Sequence, residues 1–238
     1  MVVRRRTAAR ASRRAGAAVV IALGVGACTG TETGNPNAGP MSDLRFVVTD
    51  TPVSSDPAPT VEEAYLGVRS LVALACDSGS TVLGGPTTVD LIPSPSAAVS
   101  VPEASCCGIA VELEPQSIGP EGATESASIL IRGTVRDGVP FVLSSSTSHT
   151  LTLSPTEPPL LIDSDSSWLL SVDVGVWFSG LGLSDLQSGA DGIRIDSESY
   201  PEVLTAAEER LGMAVALRRD LDGDGQVDPE DVPVALPP

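Results

Sequence analysis

Lysine is absent from this chain of 238 residues, histidine occurs once, and the aromatics are limited to two Trp, two Tyr and three Phe. Each shortage removes a class of chemistry. Without lysine there is no Schiff-base catalysis and no lysine to hold a phosphate. With His149 alone, a two-histidine zinc set and an H-E-x-x-H helix are excluded, and no G-x-S-x-G elbow occurs. His149 is read as a strand-face residue. An aromatic sugar-binding platform would depend on Trp168 or Trp177 being exposed. Basic charge is also scarce: 14 basic residues face 31 acidic ones, a net charge of −17. Such a field repels nucleic acid and anionic lipid and attracts cations.

What basic charge there is gathers at the N-terminus. Arg4, Arg5, Arg6, Arg10, Arg13 and Arg14 precede an apolar run from Ala15 to Ala27. That run has the length of a signal h-region and is too short to span a bilayer. Val25-Gly26-Ala27-Cys28 then resembles the lipobox of bacterial lipoproteins. The resemblance implies cleavage before Cys28, acylation of that cysteine and anchoring in a membrane, each buried methylene adding about 0.8 kcal/mol. Thr29 after the cysteine, where an inner-membrane lipoprotein would carry Asp, implies the outer membrane or cell surface. Loss of the six arginines in residues 1–27 takes the charge from −17 to −23. The segment from Gly30 to Pro40 is polar and rich in glycine and proline, and reads as a tether. Signal, lipobox, tether and a following β domain together resemble the predicted lipoproteins abundant in some Gram-negative bacteria, an organisation that implies location and no activity.

From Leu44 onward the pattern changes to short alternating apolar runs between turn residues. Leu44, Phe46 and Val48 share a face, as do Leu66, Val68, Val72 and Leu74 with Ser70 between them. Ile109, Val111 and Leu113 repeat the pattern, then Ile129, Ile131 and Val135, then Leu151 and Leu153. The longest stripe is Trp168, Leu170, Val172, Val174, Val176 and Phe178, with Trp177 on the opposite face. Period-two runs separated by Gly, Pro and Ser predict a mainly β chain, an antiparallel β-sandwich of about 140 residues. Only Tyr200 to Arg219 has helical spacing, opened by Pro201, with a strand from Met213 to Leu217 as the alternative. The expected organisation is a signal peptide over 1–27, a lipidated tether over 28–43, a β-sandwich over 44–190, and a helix plus loop over 191–238.

Three cysteines remain beyond the lipobox: Cys76, Cys106 and Cys107. Export to an oxidising compartment favours a bridge from Cys76 to one of the adjacent pair, leaving one thiol over. Such a bridge closes a loop of about 30 residues and stabilises by roughly 3 to 4 kcal/mol in the chain-entropy treatment.

The sharpest chemical signal lies close to the C-terminus, in Asp220-Leu221-Asp222-Gly223-Asp224-Gly225-Gln226-Val227-Asp228-Pro229-Glu230-Asp231. Asp220, Asp222 and Asp224 hold positions 1, 3 and 5 of a calcium loop. Gln226 at position 7 offers its carbonyl, Asp228 at position 9 binds directly or through water, and Asp231 closes the loop at position 12. Gly225 occupies position 6, where the chain turns sharply and a side chain is a hindrance. The loop resembles the EF-hand family and, with Asp at its last position, the calcium loops of dockerin-type modules. Asp231 is one methylene shorter than the usual Glu, which implies a weaker site. Asp228 and Pro229 suit the start of a helical turn that Pro233 ends. A helix is therefore expected to lead into a single loop binding Ca²⁺.

One string looks enzymatic. Leu74-Ala75-Cys76-Asp77-Ser78-Gly79-Ser80 resembles the strand-to-turn of aspartic proteases, where two carboxylates share one proton. No second D-[ST]-G occurs, so Asp77 could work only across a homodimer. The same residues are ordinary hairpin-turn chemistry, and that is the reading adopted. The sequence thus points to a calcium-binding, lipid-anchored envelope protein that acts as a binding or structural module, with a protein or glycan as its ligand and with no catalytic residues. The rival is an envelope hydrolase that uses Asp77.

Overall fold

The alternating runs form strands that pair row on row. The computed structural model describes residues 40–49, 59–92, 94–122, 124–135 and 138–238. The signal, Cys28 and most of the tether lie outside the described residues. In chain order the strands are β1 (Met41–Thr49), β2 (Thr60–Leu74), β3 (Ser80–Gly84), β4 (Thr87–Asp90), β5 (Val99–Pro102), β6 (Ala104–Cys106), β7 (Gly108–Leu113), β8 (Gln116–Ile118), β9 (Glu125–Ala127), β10 (Ile129–Thr134), β11 (Pro140–Ser145), β12 (His149–Pro155), β13 (Leu160–Ile162), β14 (Ser167–Asp173), β15 (Ile193–Ile195), β16 (Val215–Asp220) and β17 (Pro233–Leu236). The helices are α1 (Val174–Phe178) and α2 (Pro201–Ala214).

Thirteen of these strands join in one curled, mostly antiparallel sheet. Its main path runs β15-β11-β10-β2-β7-β12-β17-β16-β14-β1-β5, with β3 and β4 also paired to β2. Two pairings, β1 with β14 and β11 with β15, are parallel, so the sheet is not antiparallel throughout. Strand β17 joins the two wings by pairing with β12 on one side and β16 on the other. Both wings feed one hydrophobic cluster: Phe46, Leu170 and Leu217 come from one, and Val68, Val111 and Leu151 from the other. Burial of such rows is the main favourable term holding the curled sheet together. A β8–β9 ribbon covers the outer face, where Ile118 and Ala127 pack on Tyr65 and Leu130.

Three expectations change for physical reasons. In β2 the register slips between Val68 and Ser70, with Arg69 as the extra residue of a bulge. The slip turns Leu71 and Ala73 to the core after Leu66 and Val68, in place of Val72 and Leu74. The long stripe from Trp168 does not continue as a strand to Phe178. Asp173 accepts the Val176 amide at 3.0 Å, an N-cap that ends β14 and starts α1. Trp177 is thereby turned inward, 1% exposed, with its Nε1 donating to the Ala207 carbonyl at 2.9 Å. Third, the helix stops at Ala214 and the strand alternative holds from Val215, because Val215 to Asp220 pair along β14 over six residues. β-branched Val215 and the two-residue alternation of Val215 and Leu217 suit that strand better than a helix face. Residues 191–238 thus supply β15, α2, β16 and β17 to the same compact unit as the residues before them.

Candidate metal centre

Residues 221–232 connect β16 to β17, and the strands set where the loop can lie. Along the paired strands β1, β14 and β16, the row Arg45, Leu169 and Arg218 alternates with the core row Phe46, Leu170 and Leu217. The loop rests on the first of these rows. A Cβ built on Gly225 would lie 2.8 Å from Arg45 Nη1 and 3.3 Å from Pro95 Cγ, and Arg218 Nη1 donates to the Asp231 carbonyl at 2.7 Å. Two guanidinium groups therefore stand behind an acidic loop.

The loop is built by its own aspartates. Asp220, 6% exposed, accepts the amides of Gly223 at 2.7 Å and Gly225 at 3.1 Å. Asp222 accepts the Asp224 amide at 3.1 Å, and Asp224 accepts the Gln226 amide at 2.7 Å and its side-chain Nε2 at 3.1 Å. These are repeated Asx turns, and they close because Gly223 and Gly225 take φ of 77° and 79°, a region glycine enters without strain. At the neck, Asp231 is 2% exposed and accepts the Leu221 amide at 3.1 Å and the Asp228 amide at 2.9 Å.

The winding brings one carboxylate oxygen each of Asp220, Asp222 and Asp224 within 4.8 Å of one another. Oxygens that bind calcium at about 2.3 to 2.6 Å stand up to about 5 Å apart across the ion, so the spacing fits. All-oxygen donors suit calcium or magnesium rather than zinc or copper. Asp228 and Asp231 are not part of that convergence, and Gln226 is engaged with Asp224 through its amide groups. Burial pushes the Asp220 carboxyl above the ordinary aspartate range; the Gly223 and Gly225 amides pull it back, and Asp231 and Asp222 push it up further. Asp228 is also raised, by lost hydration and then by repulsion from Asp224, Asp222, Glu230 and Asp231.

The frame around the loop differs from the expected one. Strands flank it on both sides, β16 before and β17 after, and Pro229 and Glu230 form a turn rather than a helix. The helix–loop–helix of an EF-hand is absent here. The chain must stay extended at both ends because β16 and β17 pair with each other.

The remaining candidates fall elsewhere. Cys76 and Cys107 form a disulfide with a Cα–Cα distance of 4.9 Å, and Cys106 is a buried thiol whose pKa burial raises. Asp77 is exposed at the tip of the β2–β3 turn, which the Ala75 amide closes onto the Gly79 carbonyl at 2.9 Å. Neither Trp168 nor Trp177 is presented to solvent, at 2% and 1% exposure, so neither can serve as a sugar platform. Arg45 has no signal in the sequence near the loop, since only the β1–β14–β16 pairing carries it there. Arg219, next to Arg218, serves a different group: it stacks over Trp168 at 5.9 Å and meets Asp163 at 3.6 Å. Set beside known proteins, the chain matches no family model, no curated protein and no solved structure, so the loop's own geometry carries the functional argument.

Proposed function

We propose that this is a lipid-anchored envelope protein whose loop 220–231 holds a calcium ion, and whose curled sheet is a sandwich-like binding or structural module. The observation that carries the reading is the convergence of Asp220, Asp222 and Asp224 in the register where Gly223 and Gly225 allow the chain to wind. Those three residues are the direct side-chain ligands, with the Gln226 carbonyl, and Asp228 through a water, completing an oxygen set. Asp231 joins only if it releases the Leu221 and Asp228 amides, and so serves first to hold the neck. A single loop of this kind binds at about 10⁻⁴ to 10⁻³ M, which suffices where calcium is millimolar. At ten times the dissociation constant, binding adds roughly 1.4 kcal/mol to stability. The anchor at Cys28 rests on the basic and apolar N-terminal pattern and the lipobox.

Thermal melts with and without calcium test the first half of this reading, with the double variant Asp220→Ala, Asp224→Ala as the control. Calcium should raise the wild-type Tm and leave the variant unchanged. A wild type that melts identically in calcium and in chelator contradicts it. Palmitate labelling and membrane partition, both lost in Cys28→Ser, test the anchor, and an unlabelled soluble wild type contradicts that.

A further inference from the structure

The chain's one histidine stands at a junction of three elements. His149 begins β12, just past the turn that follows β11, and faces α2. Its Nε2 lies 3.1 Å from Ser145 Oγ, 3.2 Å from Thr147 Oγ1 and 3.3 Å from Glu208 Oε1. Both hydroxyls donate to that same Oε1, at 2.6 Å and 2.9 Å. Ser145 is fully buried, and the side chains of His149 and Glu208 keep only 19% and 15% of their exposure.

Hydroxyl, imidazole and carboxylate are the parts of a nucleophilic relay, but the geometry is not that of one. In a relay the carboxylate orients the ring from Nδ1 while Nε2 faces the nucleophile. Here all three oxygens converge on Nε2, and the nearest hydroxyl is out of reach of any substrate. The arrangement fastens the helix to the sheet. With a hydrogen on Nε2, the two hydroxyl oxygens accept from the ring while their own protons serve Glu208.

We propose that Ser145, Thr147, His149 and Glu208 form a pH-responsive clasp that holds α2 to the sheet more firmly in mild acid than in mild base. Histidine is the side chain whose ordinary titration falls between pH 5 and 8. An imidazolium beside the Glu208 carboxylate, 3.3 Å away, adds charge attraction to the hydrogen bonds, and a neutral ring does not. The other ionisable groups near His149 are Glu112 and Glu114, which flank its strand partner Leu113, and Arg69 in the β2 bulge; all line with it a cleft of about 210 Å³. Arg69 pairs with Glu114 at 3.5 Å on the exposed side of that cleft. The helix's other attachments, buried Leu204, Ala207 and Leu211 and the Trp177 bond, do not titrate.

Hydrogen exchange of α2 in the full chain tests this, read at about pH 5.5 and about pH 8 against the β10 amides as an internal reference. Protection of α2 should be roughly two- to fivefold greater at the lower pH, the scale of a partly exposed ion pair. Glu208→Gln and His149→Gln, which keep hydrogen-bonding groups and remove the charge, should each flatten that ratio. The single histidine ring signal by NMR should titrate in step with the protection. Equal wild-type protection at the two pH values overturns the clasp, as does a pH dependence that survives in either variant.

Discussion

The β2–β3 connection and the β16–β17 connection both join antiparallel strands through Asp, Gly and small residues, yet they are secured differently. In the first, the disulfide Cys76–Cys107 pins the turn to the start of β7, and Asp77 is left exposed. In the second, buried Asp220 and Asp231 accept four backbone amides, and Arg45 and Arg218 stand behind them. An aspartate in a turn becomes a structural group, and a candidate ligand, where the sheet beneath it supplies burial and positive charge. Composition alone does not separate the two connections.

The contrast can be broken at its covalent end first. Cys76→Ser should cost about 2 to 4 kcal/mol and lower the Tm by roughly 5 to 15 °C, while the cation loop keeps its calcium response. A smaller effect is expected from Asp231→Ala, about 1 to 3 kcal/mol, because the Leu221 and Asp228 amides lose their acceptor. Asp77→Ala, which removes an exposed carboxylate, should change stability by less than about 0.5 kcal/mol. Denaturant melts of the pair measure the difference directly, and equal costs would erase the distinction drawn here.

Glycine sharpens the comparison further. Gly225→Ala places a side chain at φ 79° against Arg45 and should cost about 1 to 2 kcal/mol. At Gly79 a Cβ would meet only Ala75 Cβ at 3.6 Å, an ordinary contact, and Gly79→Ala should be close to neutral. The smallest effect is in pH. The raised Asp220 carboxyl means that the ion-free fold binds a proton there more readily than the unfolded chain does. Its contribution is therefore present in acid and lost as pH rises through the raised value. Calcium needs the ionised form, so the calcium increment in Tm should shrink on acidification before ordinary aspartates titrate. An increment constant down to about pH 4 would contradict the direction given for Asp220.

Much of the sheet could be read from alternation, and the rest turned on local breaks in it and on pairing. Leu44 with Phe46, Ile109 with Val111 and Leu113, Ile129 with Ile131, and Leu151 with Leu153 all face the core as their spacing implies. What escaped was set by single residues that break the alternation, Arg69 making a bulge and Asp173 capping α1, while pairing with β14 decided for the strand alternative over Val215 to Asp220. The cysteine bridge was legible as far as Cys76. The choice between Cys106 and Cys107 depends on which of two neighbours faces the core, and Cys106, fully buried, does. The loop's ligand spacing was legible residue by residue. Its strand-flanked frame and its Arg45 support were not, because the frame comes from β16 pairing with β14 and β17, and the support from β1 pairing with β14 across more than a hundred residues of chain.

Calorimetric titration of the purified chain with calcium addresses the central claim most directly. One ion per chain should bind with a dissociation constant of about 10⁻⁴ to 10⁻³ M, and the Asp220→Ala, Asp224→Ala variant should give no heat. Amides 221–226 should gain exchange protection in parallel while the β10 amides stay unchanged. If the wild type gives no heat and no added protection up to about 10 mM calcium, well above the range of extracellular modules, the loop is an acidic turn held by its own hydrogen bonds and the proposed function fails.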